Sequence, residues 1–168
     1  MILGLSIEAF TVLHVVISMI AIFAGFIVLG GMFSSARLGG WTAFFLVTTI
    51  LTTLTGFLFP FRTVTPALAV GVVSSLILIV SLIALYSFRL AGRWRFVYVA
   101  TAVVSLYLNV FVMIVQSFQK VSFLQPFAPT GSEPPFVITQ AVALIGFVIL
   151  GVMAVKQFHP ARAGDRTI

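Results

Sequence analysis

The sequence predicts an all-α transmembrane protein, an antiparallel five-helix bundle, and three observations carry that expectation. Charged side chains make up only 7% of the 168 residues and hydrophobic ones 61%, whereas ordinary soluble domains are roughly a quarter charged. Five apolar runs, at about 9–32, 41–59, 67–88, 96–118 and 136–156, are long enough to cross a bilayer; a hydrocarbon core of about 30 Å takes about 20 residues of helix. The connections after the first three, "SSARLGG", "PFRTVTP" and "RLAGRWR", are short, and short connections make neighbouring helices antiparallel. The spans use most of the chain, so 1–168 reads as one integral membrane domain, with an outer loop over 119–135 and a cytoplasmic tail over 157–168.

The first span starts after Ser6, a capping residue, with Glu8 in the first turn, where the helix dipole favours a carboxylate. Thr11, His14, Ser18, Ala21 and Gly25 recur at spacings of three and four, which sets them on one inward stripe. Glu8 and His14 are six residues apart, so they lie on different faces and about 9 Å apart along the axis. No relay joins them on one helix.

The second span is crowded with Thr42, Thr48, Thr49, Thr52, Thr53 and Thr55. Threonine hydroxyls can bond the carbonyl four residues back and bend the helix; facing water, they would instead form a proton or ion path. The third span opens on Pro66, whose missing N–H is not needed in a first turn. Ala67, Gly71 and Ser75 then repeat at four, a small-residue pattern that admits a close neighbour. In the fourth, Ser105, Asn109, Val112, Gln116 and Gln119 form a second inward stripe. Trp41, Trp94 and Tyr98 sit at span ends, where interfacial anchors belong.

The fourth connection, "QKVSFLQPFAPTGSEPPF", is longer than compact domains usually need. With Phe123, Leu124 and Phe127 it reads as an ordered lid at the membrane boundary. Its end, "SEPPF", reads as helix initiation, with Glu133 at the positive dipole end and Pro134 or Pro135 in the first turn.

Basic residues orient the bundle. With the N-terminus outside, the inner segments hold seven (Arg37, Arg89, Arg93, Arg95, Lys156, Arg162 and Arg166) and the outer loops two, Arg62 and Lys120. That bias places the protein in a cell inner membrane with the N-terminus outside and the C-terminus in the cytoplasm. The same placement accounts for the net charge of +6 without nucleic acid as a partner. "MILGLSIEAF" has neither a basic leader region nor a small-residue cleavage site, so the first helix is expected to stay in the mature protein. No internal repeat is visible.

Absence of cysteine removes thiolate catalysis, disulfides and iron–sulfur clusters. No nucleophile–base set, phosphate loop or carboxylate pair is visible, so no enzymatic activity is expected. What remains is polarity in the wrong solvent. His14, Ser18, Thr52, Ser75, Asn109, Gln116 and Gln140 all fall in the outer halves of their spans and are the candidate site residues. As glue, each interhelical hydrogen bond contributes about 0.6 kcal/mol and at most about 1.7. As a pocket, they would bind a quinone, a lipid headgroup or a small solute beneath the outer loop, alone or in a homo-oligomer. A second reading is an accessory or assembly subunit of a larger membrane complex, with the loop docking the partner.

His14 is the one histidine inside a span, and charging it in lipid would cost about 2.5 to 3.5 kcal/mol or more. It is expected to be a neutral imidazole bonded to Ser18 or to a neighbouring helix. Haem is the alternative, making the chain an electron-transfer protein: His159 lies a membrane's thickness away, which leaves Met113 as the second axial ligand. No other cofactor is indicated.

The stretch "LHVVISMIAIFAGFIVLGGMFSSARLGGWTAFFLVTTILTTLTGF", Leu13 to Phe57, resembles small uncharacterised bacterial multi-pass inner-membrane proteins whose first helix carries a histidine and whose first loop is basic and contains glycine. The resemblance lies within about the first third of the chain. A second histidine near the first loop is common in that group; here the positions read Ser35, Ala36, Arg37 and Leu38, which removes a ligand from any haem or metal role the resemblance implies.

Overall fold

The computed structural model describes residues 1–60 and 66–160. Arg62, Arg162, Asp165 and Arg166, on which part of the charge reading rests, lie outside the described residues. Among those described, five helices are long and apolar enough to cross a membrane. They are α1 (Ile7–Phe33), α2 (Gly39–Phe57), α3 (Pro66–Leu82, continued by a π-helical turn over Ile83–Ser87), α4 (Arg93–Lys120) and α5 (Pro134–Gln157). No strand element is present among them, so the fold is all-α.

The expected helix starts hold. Ser6 caps α1 by accepting a hydrogen bond from the N–H of Ala9 at 3.1 Å, and Glu8 is in the first turn. Glu133 stands at the N-cap of α5 with Pro134 next. Its carboxylate bonds backward into the loop, taking the N–H and hydroxyl of Thr130 and the N–H of Ser132 at 2.9, 2.8 and 3.0 Å. The third helix departs from expectation: its last turn widens to a π turn instead of continuing as an α-helix to Phe88. Such widening is frequent at functional sites.

Helices α1 to α4 pack in a ring, each on the next and α4 back on α1, while α5 lies outside the ring against α4 and α1. Antiparallel pairing shows in the contacts. His14 near the start of α1 meets Thr55 near the end of α2, and Gly25 near the end of α1 meets Phe45 near the start of α2. In the same way Phe118, late in α4, packs on Phe136, early in α5, with ring centroids 5.5 Å apart. Helices α2 and α4 run in the same direction, because Thr42 meets Tyr98 and Thr49 meets Asn109.

The core lies between α1, α2 and α4, where Phe45, Leu46, Val99 and Leu106 are fully buried. Gly25 is the point of closest approach: a β-carbon there would stand 2.5 Å from Leu106 Cδ1 and 2.8 Å from the Phe45 ring. Outward-facing Phe23, Leu76 and Ile145 are exposed, which suits helices surrounded by hydrocarbon whose backbone groups are satisfied internally. Tyr98 is not the interfacial anchor expected of it. It is 2% exposed and turned into the core, because it continues the inward stripe of α4 backwards through Ala102 and Ser105 at spacings of four and three. Trp94 stays at the rim, stacked on Phe88 at 3.9 Å.

Candidate functional site

Three helices build the polar site, and α2 is its spine. At one height Asn109 Nδ2 donates to Thr49 Oγ1 at 3.3 Å, joining α4 to α2. Six residues further along α2, about 9 Å by helical rise, His14 Nδ1 lies 2.7 Å from Thr55 Oγ1, joining α1 to α2. Placement in the outer halves of the spans suggests one common level, and the structure corrects that: the groups form a file along α2, contributed by its neighbours at successive turns. His14 and Asn109 both face inward.

The file has open valences. Thr52 Oγ1, one turn from each bonded threonine, is buried with no hydrogen-bond partner among the described residues, and so is Gln116 Oε1. Gln116 follows Asn109 by seven residues, about 10.5 Å, which brings it to the height of Thr55. Buried polar atoms in native structures are nearly always paired with protein or an ordered molecule.

The proton count around His14 assigns its tautomer. A hydroxyl has one hydrogen, and Thr55 places it on its own helix, donating to the Leu51 carbonyl at 2.7 Å. Thr55 Oγ1 therefore accepts from Nδ1–H, and the neutral imidazole keeps the free lone pair on Nε2. The ring also packs edge-on against Phe59, with centroids 5.4 Å apart, and a β-carbon at Gly56 would lie 3.7 Å from Cε1.

The remaining candidates go elsewhere. Ser18 donates to the His14 carbonyl at 2.7 Å and Ser75 to the Gly71 carbonyl at 2.9 Å, so both spend their hydroxyls on their own helices. Gln140 donates to the Phe111 carbonyl at 3.2 Å and leaves its Oε1 buried and unpaired. It approaches α4 from α5, outside the ring, and so does not join the file. Thr48, Thr53 and Thr55 bond carbonyls four residues back, as the packing account of α2 expects. Thr49 and Thr55, the two that hold Asn109 and His14, were absent from the candidate set. Nothing in a run of threonines distinguishes those facing α4 and α1.

The loop after α4 is ordered. A 3-10 turn at Gln125–Phe127 packs back on α4, Gln125 Nε2 donates to the Gln119 carbonyl at 2.7 Å, and Ala128 is buried. Phe123 and Phe127 pack on each other, centroids 5.9 Å apart, yet remain 76% and 48% exposed.

Fold and site together define a multi-pass helical membrane protein with a polar file inside its bundle. Compared with protein-family models, with curated proteins and with solved structures, the chain matches none.

Proposed function

We propose that this is a non-enzymatic inner-membrane protein, N-terminus outside and C-terminus in the cytoplasm, that holds the polar head of a small amphiphile such as a quinone or a lipid headgroup. The head sits in the outer half of the bundle, against His14, Thr52, Asn109 and Gln116. One observation carries the reading: Thr52 Oγ1 and Gln116 Oε1 are buried at neighbouring turns without partners. Interhelical adhesion accounts for the Asn109–Thr49 bond but leaves those two atoms unexplained. A hydroxyl-bearing head, a quinone in its reduced quinol form or a hydroxylated lipid headgroup, would donate to Gln116 Oε1 and to the free His14 Nε2, and its apolar tail would leave between helices into lipid. The ordered loop over 121–133 lies next to this end of α4 and would cover the head.

The test replaces Asn109 and Gln116 together with Leu and follows whatever small molecule purifies with the protein. The reading requires its loss from a variant that is still folded; unchanged retention counts against it. A second reading, an accessory subunit of a larger membrane complex, is favoured by the exposed Phe123–Phe127 pair on the loop. Mass measurement after gentle solubilisation separates the two, because a lone monomer disfavours the subunit.

A further inference from the structure

At the opposite end of the bundle the first loop, the π turn of α3 and the start of α4 enclose a cavity of about 70 Å³. Three hydroxyl-bearing residues line it: Tyr86, which is exposed, and two buried ones, Thr42 at 6% exposed and Tyr98 at 2%. Among the described residues the buried pair's only side-chain hydrogen bond is the one Tyr98 donates to Thr42, at 3.5 Å, well beyond the 2.5–3.0 Å usual between oxygens. Both are thus buried nine-tenths or more with no partner at normal distance. Arg37 lines the mouth of the same cavity as an exposed side chain, and its guanidinium has no hydrogen bond or ion pair among the described residues. By contrast, Arg95 is engaged through Nη1, which donates to the Val155 and Phe158 carbonyls at the end of α5.

Charge selects the ligand class. The polar side chains lining the cavity offer hydrogen-bond donors, and the same end carries Arg89, Arg93, Arg95 and Lys156. Both carboxylates among the described residues, Glu8 and Glu133, belong to the other end. The volume is about that of two liquid waters, large enough for one tetrahedral oxyanion. Backbone strain clusters here too: Ser35, Arg89 and the cavity-lining Leu90 have φ of 56°, 47° and 63°, and such strain concentrates at functional sites.

We infer that this cavity binds a phosphate group, with Arg37 at its mouth as the charged clamp and Tyr98 and Thr42 donating from inside. The group has two sources, free phosphate or the headgroup of an anionic phospholipid; basic pockets between membrane helices take such headgroups on the cytoplasmic side. This site is independent of the polar file, and either can fail without the other.

The experiment uses the full chain in nanodiscs of phosphatidylcholine, with and without phosphatidylglycerol, and with inorganic phosphate or chloride at matched ionic strength. Bound species are read by native mass spectrometry and thermal unfolding. A phosphate-dependent rise in unfolding temperature in phosphatidylcholine alone identifies free phosphate. A retained phosphatidylglycerol adduct without a phosphate response identifies the headgroup. In either case Arg37→Gln lowers affinity by about tenfold or more, as loss of a charge-assisted bond should, and Tyr98→Phe lowers it by a smaller factor with the ring kept. Arg89→Gln, which removes a charge at the same end but outside the cavity, leaves binding within about twofold. Tyr98→Phe reads the site independently if Arg37→Gln does not fold. No binding of either probe overturns the inference and leaves the cavity to water. Equal losses in Arg37→Gln and Arg89→Gln also overturn it, since diffuse charge would then suffice.

Discussion

His14 on α1 donates through Nδ1 to the hydroxyl of Thr55 on α2, 2.7 Å away, while Thr55 passes its own hydrogen to Leu51. This orders the imidazole in one tautomer and leaves Nε2 without a hydrogen-bond partner among the described residues. In a nitrogen-15 spectrum, His14 Nε2 should resonate as an unprotonated pyridine-type nitrogen. A double-mutant cycle with His14→Phe and Thr55→Val should give a coupling of about 0.6 kcal/mol and no more than about 1.7.

Gly25 and Gly30 should respond oppositely to alanine. At Gly25 the new methyl meets Leu106 and Phe45, both themselves buried with nowhere to move, so Gly25→Ala should cost about 1–3 kcal/mol by overpacking. Nothing lies within 4 Å of a β-carbon at Gly30. Gly30→Ala should be neutral or stabilise by up to about 1 kcal/mol through helix propensity. Thermal unfolding in detergent checks both.

Arg95 ties the start of α4 to the last carbonyls of α5. Arg95→Met keeps most of the stem and removes the donors, and should cost about 1.5–3 kcal/mol, the range for bonds to a charged group. The loss should appear as faster amide exchange at Phe158 and His159, with α1 and α2 unaffected.

Acid should loosen the outer loop, but only at low pH. Desolvation works to raise the Glu133 pKa, and it is outweighed by hydrogen bonds from Thr130 and Ser132, so that the value is lowered from 4.5 to about 2. A carboxyl held down in the folded state adds stability that is complete above its ordinary value and disappears as pH falls through the folded one. The amide resonances of Thr130 and Ser132 should therefore titrate with a midpoint near 2. Glu133→Gln should abolish the transition.

Topology can be mapped directly, since the chain has no cysteine. With the N-terminus outside, a cysteine at Ser132 reacts with an impermeant maleimide added to cells, whereas one at Ala91 reacts only after lysis. The reverse pattern inverts the bundle.

Much of the fold was legible because hydrocarbon imposes few solutions: a run of apolar residues of the right length can only be a helix. The stripe Ala21–Gly25 was readable for the same reason, as small residues at helical spacing mark where a neighbour must fit, and both are buried. Pairing was less visible. Spacing places Asn109 and His14 inward, yet which threonine of α2 each meets depends on how the helices slide along one another, a tertiary quantity. Tyr98 shows the cost of reading position alone: its place near a span end pointed to the interface, while its register with Ser105 and Asn109 pointed inward, and register won. The cavity at the basic end was hidden altogether, because Arg37, Thr42 and Tyr98 come from separate elements.

The most direct test is a quantitative extraction of small hydrophobic molecules from wild type and from the folded Asn109→Leu/Gln116→Leu variant, purified side by side in native lipid. A near-stoichiometric compound in the wild type, reduced at least about tenfold in the variant as loss of two hydrogen bonds would require, is the predicted result. Equal amounts in both, or none in the wild type, would contradict it.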